Sequence, residues 1–222
     1  MLKYPTQNRI YFTIFADKAS FLKKILPLFS YLFHPIFCSI IGTLFYVNYT
    51  DNYYAKEFYL LLLLQVVILT IFLPLAFVYF LHIFGKADSI MLSDISQRKT
   101  PLLMQIVLLL VLISKSITLE RYPELFFFFL GAIISSILAY GLLYAKIKAS
   151  IHLIAISALC YFILGLNVHY ELHNSNTIAF LFFITGIVAS SRLAMKAHSL
   201  KELAIGYAVG MLPQIILWGF WL

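Results

Sequence analysis

The sequence predicts an all-α fold, a polytopic membrane helix bundle of about seven transmembrane helices, and three observations carry that expectation. Of 222 residues, 63% are hydrophobic and only 11% charged, whereas soluble domains are about half apolar and about a quarter charged. The polar side chains are too few to coat a water-soluble globule of this size, so the apolar surplus is expected to face lipid. The apolar residues fall in seven continuous runs of span length, and the basic residues are shared unequally between the two sets of loops that join them.

At the N-terminus, residues 10–25 (IYFTIFADKASFLKKI) mix aromatics with Lys18, Lys23 and Lys24. That mixture predicts a segment lying along the membrane surface, so residues 1–25 are set apart as an interfacial unit and 26–222 as the helical domain. Residues 1–24 lack a signal-peptide pattern, and the run that follows is expected to stay as an anchor. The spans are then 26–48, 58–84, 101–119, 124–144, 152–169, 177–191 and 203–222, close to the roughly 17 to 25 residues that cross about 30 Å of hydrocarbon as a helix. Strands are excluded because the runs are continuous, whereas barrel segments alternate over about 10 residues. Pro74 inside the second run is expected to kink it, while Pro101 opens the third where its missing N–H costs nothing.

The chain carries 16 Lys plus Arg against 9 Asp plus Glu, a net charge of +7. Lys3, Arg9, Lys18, Lys23, Lys24, Lys86, Arg98, Lys99, Lys146, Lys148, Arg192, Lys196 and Lys201 fall on the side of the N-terminus, and only Lys56, Lys115 and Arg121 on the other. The positive-inside rule puts the N-terminus and the loops after the second, fourth and sixth spans in the cytoplasm, as expected of a multi-pass protein of the cell (inner) membrane. The rule also accounts for the basic surplus without a nucleic-acid partner. Cys38 and Cys160 lie inside apolar runs, where thiols behave as small hydrophobes and imply no disulfide framework.

Three loops on the basic side hold most of the polar residues with chemical potential. The loop between the sixth and seventh spans reads SSRLAMKAHSLKELAIGYAVG, placing Ser191 and Arg192, then His198, then Glu202. The loop between the fourth and fifth contains Ser150 and His152 in KIKASIHLIAIS, and that between the second and third contains Arg98 and Pro101 in KADSIMLSDISQRKTPLL. This set, in this order, resembles the three signatures of the type 2 phosphatidic acid phosphatase superfamily of integral-membrane lipid phosphatases, in a divergent bacterial branch. The departures are Glu202 for the family's Asp, Ala149 and Ile151 for the Pro and Gly of the second signature, and no Lys seven residues before Arg98, the nearest earlier one being Lys86.

The resemblance implies a metal-free and cofactor-free site with His198, His152 and Glu202 as catalytic residues and Arg192, Arg98, Ser150 and Ser191 binding phosphate. Guanidinium groups suit a phosphate because they clamp two oxygens at once. His198 would attack phosphorus through a neutral ring nitrogen, with Glu202 accepting the other ring N–H and so fixing tautomer and aim. His152, as imidazolium, would protonate the leaving oxygen, a contribution of roughly 10² to 10⁴ in rate. Ser150 and the first N–H groups of its helix would add an anion-binding terminus.

The residues also admit plainer readings. Ser199 to Glu202 forms a capping box for the last helix, and Arg192, Lys196 and Lys148 suit interfacial anchoring. His34, just before Pro35, and His82 read as packing residues with no role. His169 and His173 with Glu171 have a metal-binding spacing on the opposite side, without an evident third ligand. The expected function is hydrolysis of a lipid phosphate or pyrophosphate through a phosphohistidine, the substrate being of the phosphatidate, phosphatidylglycerophosphate, polyprenyl diphosphate or lipid A type. The alternative is a non-catalytic membrane subunit or lipid-binding scaffold of the same family. Oligomeric state is not legible.

Overall fold

The computed structural model describes residues 25–49, 56–86 and 96–222. The expected interfacial segment therefore lies outside the described residues, except for Ile25. All secondary structure in the described residues is helical: α1 (Ile25–Leu32), α2 (Pro35–Tyr49), α3 (Lys56–Val67), a π-helical turn (Ile68–Phe72), α4 (Leu73–Ile83), a 3-10 turn (Ser96–Arg98), α5 (Lys99–Lys115), α6 (Pro123–Tyr144), α7 (Ile151–His169), α8 (Ser175–Ala194) and α9 (Leu200–Trp221).

Among the described residues, five helical stretches are long and apolar enough to cross a membrane, and six if α1 and α2 form one bent span. The expected count of seven is not reached, because α5 has 17 residues, about 25 Å at 1.5 Å per residue. The first run is also not one straight helix. Its two halves meet at 56°, because a residue before proline is pushed out of the α region. The chain leaves helix at Phe33 and His34 and restarts with Pro35 as the first residue of α2. The disturbance expected at Pro74 takes the form of the π turn just before it, where the N–H of Leu73 reaches back to the carbonyl of Ile68.

α7 is the axis of the bundle, packed against α2, α6, α8 and α9. It carries no charged residue other than its histidines and is apolar all round, as a helix buried on every side should be. Its closest partner is α9, whose Gly206 and Gly210 are four residues apart and face it. A Cβ at Gly206 would lie 2.7 Å from the Ser150 carbonyl oxygen, and one at Gly210 would lie 2.1 Å from that of Ile154. Small residues at this spacing let two backbones touch, the usual device where lipid supplies no hydrophobic drive between helices. Pro213 inside α9 cannot donate to the Val209 carbonyl four residues earlier, and Ser135 Oγ of α6 donates to that oxygen instead, at 2.9 Å. Ser157 Oγ of α7 donates to the Tyr207 carbonyl at 3.0 Å.

The turns at the charged end share one geometry. α6 and α8 each close with a lysine in the left-handed region, Lys146 at φ 58° and Lys196 at φ 53°. In both, the next residue donates five residues back, Ile147 to Leu142 and Ala197 to Arg192, which is a Schellman cap. These two caps reverse the chain over the helix ends and deliver residues 148–152 and 197–202 side by side.

Candidate functional site

A cavity of about 280 Å³ opens at that end, between α2, α4, α5, α6 and α7. Its polar end is lined by His34, Arg98, His152, Arg192 and His198. Arg98 comes from the 3-10 turn that starts α5, His152 from the first turn of α7, Arg192 from the last turn of α8, and His198 from the turn before α9. Both guanidiniums are more than nine-tenths buried, Arg98 at 6% and Arg192 at 8% exposed. The Nε of Arg192 has no hydrogen-bond partner, and its Nη1 reaches only the sulfur of Met195 at 3.8 Å. Arg192 forms no ion pair among the described residues, so its buried charge is one that an anion would neutralise. Burial, then Arg192, lowers the pKa of Arg98 below the usual guanidinium range, though not enough to discharge it.

His198 feels the same field. Burial first, then Arg192 and Arg98, against the opposing pull of Glu202, push its imidazole down to about 4. The ring is neutral at pH 7, the form a nucleophile requires. Its Nδ1 lies 3.4 Å from Glu202 Oε2 without making a well-directed hydrogen bond. The same Oε2 accepts the backbone N–H of Ser199 at 2.8 Å, and Ser199 Oγ accepts the N–H of Glu202 at 3.4 Å. The capping box is therefore formed, and its carboxylate also faces the imidazole.

The two serines expected to bind phosphate do not line the cavity. Ser150 is fully buried behind it, with its N–H on the Glu202 carbonyl at 3.2 Å and its backbone seated against Gly206. Its hydroxyl makes no hydrogen bond and does not cap α7. Ser191 Oγ is buried against Ser30 Oγ at 2.7 Å. Lys86 is exposed at the edge of the described residues, and Lys148 is half-buried near His198. On the opposite end, His169 Nε2 lies 3.8 Å from Glu124 Oε1, which also accepts the Tyr170 hydroxyl. Among the described residues no three His, Cys, Asp or Glu side chains gather as a metal site.

Two groups with no role assigned from the sequence stand beside these residues. His34 lines the cavity and meets the His152 ring edge-on, with centroids 5.1 Å apart and planes at 83°. The carbonyl of Ser30 accepts from His152 Nε2 at 3.1 Å. The available signal was Pro35, which dictates a helix break beside a histidine. Below the polar end the cavity is lined mainly by apolar side chains, along Val78, Leu102, Leu109, Phe128 and Ala155, with Thr70, Gln105 and Ser135 among them. From Arg98 to Leu109 it follows α5 for 11 residues, about 16 Å of depth. Compared with protein families, characterised proteins and solved structures, the chain matches none.

Proposed function

We propose that the protein is a multi-pass membrane enzyme that hydrolyses the phosphate ester or pyrophosphate of a lipid, with the polar end of the cavity holding the phosphate and its apolar length the tail. The observation that carries the reading is the pair of buried guanidiniums, one with an unpartnered Nε, beside three imidazoles at the mouth of a mainly apolar slot. Ammonium or sugar recognition would not call for that excess of buried positive charge, whereas a phosphate repays its desolvation by bidentate contacts. The seventh span would be α5, short enough to require local thinning of the bilayer or flanking residues that reach the interface. The site would face the cytoplasm, where the basic loops belong.

In the proposed reaction Arg98 and Arg192 clamp the phosphoryl oxygens. His198 Nε2 forms the bond to phosphorus as the bond to the leaving oxygen breaks, and His152 gives that oxygen a proton. Glu202 faces the imidazolium that His198 becomes, with its proton on Nδ1. Water then attacks phosphorus, the phosphorus–nitrogen bond breaks, and the water proton passes to His152. Phosphate release from phosphatidate, phosphatidylglycerophosphate and polyprenyl diphosphate in nanodiscs tests the proposal. Activity on at least one, with an acid-labile phosphoenzyme that His198→Ala abolishes, is the expected result, and inactivity on the whole panel refutes turnover. A second reading, a phosphate-lipid binder without turnover, draws on the poorly directed His198–Glu202 contact. It predicts saturable lipid binding that depends on Arg192 and survives His198→Ala.

A further inference from the structure

The break in the first span bears directly on the site. α1 ends at Leu32, and Ser30 lies in its last turn, where helix carbonyls point along the axis without intrahelical partners. At this end of α1 the Ser30 carbonyl meets His152 Nε2 at 3.1 Å. A carbonyl only accepts, so the proton on His152 resides on Nε2. The negative end of a helix also favours positive charge at the group it faces. Just past the break, His34 Nδ1 accepts the N–H of Ile36 at 3.3 Å, which pins the His34 ring, and that ring stands edge-on to His152. Ser30 Oγ ties the same turn to Ser191 of α8, next to Arg192. Two groups flanking the break thus touch one imidazole, and both contacts depend on the chain leaving helix before Pro35.

We infer that the end of α1 is a working part of the site, with Ser30 and His34 as positioning residues that hold His152 in its Nε2–H form and leave Nδ1 as the atom that serves the substrate. The catalytic use of this arrangement rests on the phosphatase reading above. In that use, the substrate phosphate binds as its monoanion and hands its proton to the bare Nδ1; the bond from phosphorus to the leaving oxygen then breaks with its electron pair on oxygen, which takes that proton from Nδ1. The neutral ring that remains keeps Nε2–H on Ser30. When water cleaves the phosphohistidine, its proton passes to Nδ1 and leaves with the released phosphate, which restores the bare Nδ1 and completes the cycle. The carbonyl does for His152 what a carboxylate does for the histidine of a triad, without adding negative charge beside an anionic substrate.

The test uses the full chain, ¹⁵N-labelled at histidine, in nanodiscs. Pro35→Ala removes the cause of the break, so that helix can continue and the Ser30 carbonyl can take the N–H of residue 34. His34→Ala keeps the break and removes only the brace, which guards against a misfolded first variant. In the parent, the His152 ¹⁵N shifts should report a proton on Nε2 and a bare Nδ1. Pro35→Ala should mix the tautomers. Its turnover of an alkyl lipid phosphate should fall by roughly 10² or more, the range for a lost general acid. Turnover of an aryl phosphate with an acidic phenol, whose leaving oxygen needs no proton, should fall less than about tenfold. His34→Ala should show the same pattern at a smaller factor. A parent His152 protonated on Nδ1, or equal losses on alkyl and aryl substrates, overturns the inference. A parent inactive on both substrates overturns the phosphatase reading alone, because the tautomer shifts still decide the positioning claim.

Discussion

Replacing Gly210 with alanine should separate the two helices that carry the site. The new Cβ would stand 2.1 Å from the Ile154 carbonyl oxygen, 2.2 Å from Ser157 Oγ and 2.8 Å from the Ile154 carbonyl carbon, whereas even a favourable carbon–oxygen approach needs about 3.3 Å. The nearest obstacle is backbone, so no rotamer change relieves it, and α7 and α9 must part by about 1 Å. Overpacking of this kind costs about 1–3 kcal/mol, occasionally more. Alanine returns up to about 1 kcal/mol through its helix propensity, and the net loss should be about 2 kcal/mol. Unfolding in mixed micelles, followed by the fluorescence of Trp218 and Trp221, measures it. Gly219→Ala is the control, in the same helix but with nothing within 4 Å of the new Cβ, and should be neutral or slightly stabilising. A Gly210→Ala variant as stable as Gly219→Ala would refute the close-contact account of the α7–α9 seam.

Further outcomes follow from the site. Glu202→Gln keeps an acceptor for the Ser199 N–H but loses the charge facing His198, so phosphate release should drop while thermal stability holds; Glu202→Ala should also cost about 0.5–2 kcal/mol as the cap is lost. His198 is held down to about 4, below the ordinary 6.5. Between those values the unfolded chain binds the proton that the native chain refuses, so stability is complete above about pH 6.5 and declines as pH falls toward 4. His198→Gln should flatten that decline in a thermal-unfolding series, and an unchanged slope would count against a buried neutral imidazole. Arg192→Met removes a buried charge that forms no ion pair among the described residues; melting temperature should hold or rise, while protection by added inorganic phosphate disappears. Lys196→Gly should stabilise by about 1 kcal/mol, because its left-handed backbone suits glycine, and a destabilised variant in the same melt would refute the strain assigned there.

The helices were legible because apolar runs and helices coincide: 124–144 against Pro123–Tyr144, and 152–169 against Ile151–His169. The ends differ by two or three residues where polar residues belong to the helix, as at Ser175 and at Leu200 after the Ser199 cap, and by four where α5 stops at Lys115 short of 119. Hydropathy averages over a window, so it read through Phe33 and His34, and with them the turn that grips His152. Arg98, His152, Arg192 and His198 stood out because polar residues are scarce here and their spacing is specific. Ser150 and Ser191 carried the same signal yet lie outside the cavity lining, Ser191 with its hydroxyl on Ser30 and Ser150 packed through its backbone against α9. Facing surfaces were unreadable for a deeper reason. When both lipid and protein interior are apolar, a helix has no hydrophobic stripe, and the α7–α9 seam is marked only by two glycines.

Under the proposed reaction, the oxygen shared by the α9 cap and His198 would link heat resistance to turnover. Oε2 of Glu202 both ends the exposed amides of the first turn and faces the imidazole. When that turn frays, the carboxylate swings away with it, and the His198 imidazole loses its partner while the rest of the bundle stays folded. Local openings of helix termini require far less free energy than global unfolding. On the proposed function, catalysis would have a melting point of its own, below that of the fold, and amide exchange at Glu202 should rise over the same temperatures at which turnover declines. Ligands that bridge the imidazole and the guanidiniums would close that gap by holding the turn in place, so a bound phosphate protects the activity more than it protects the bundle.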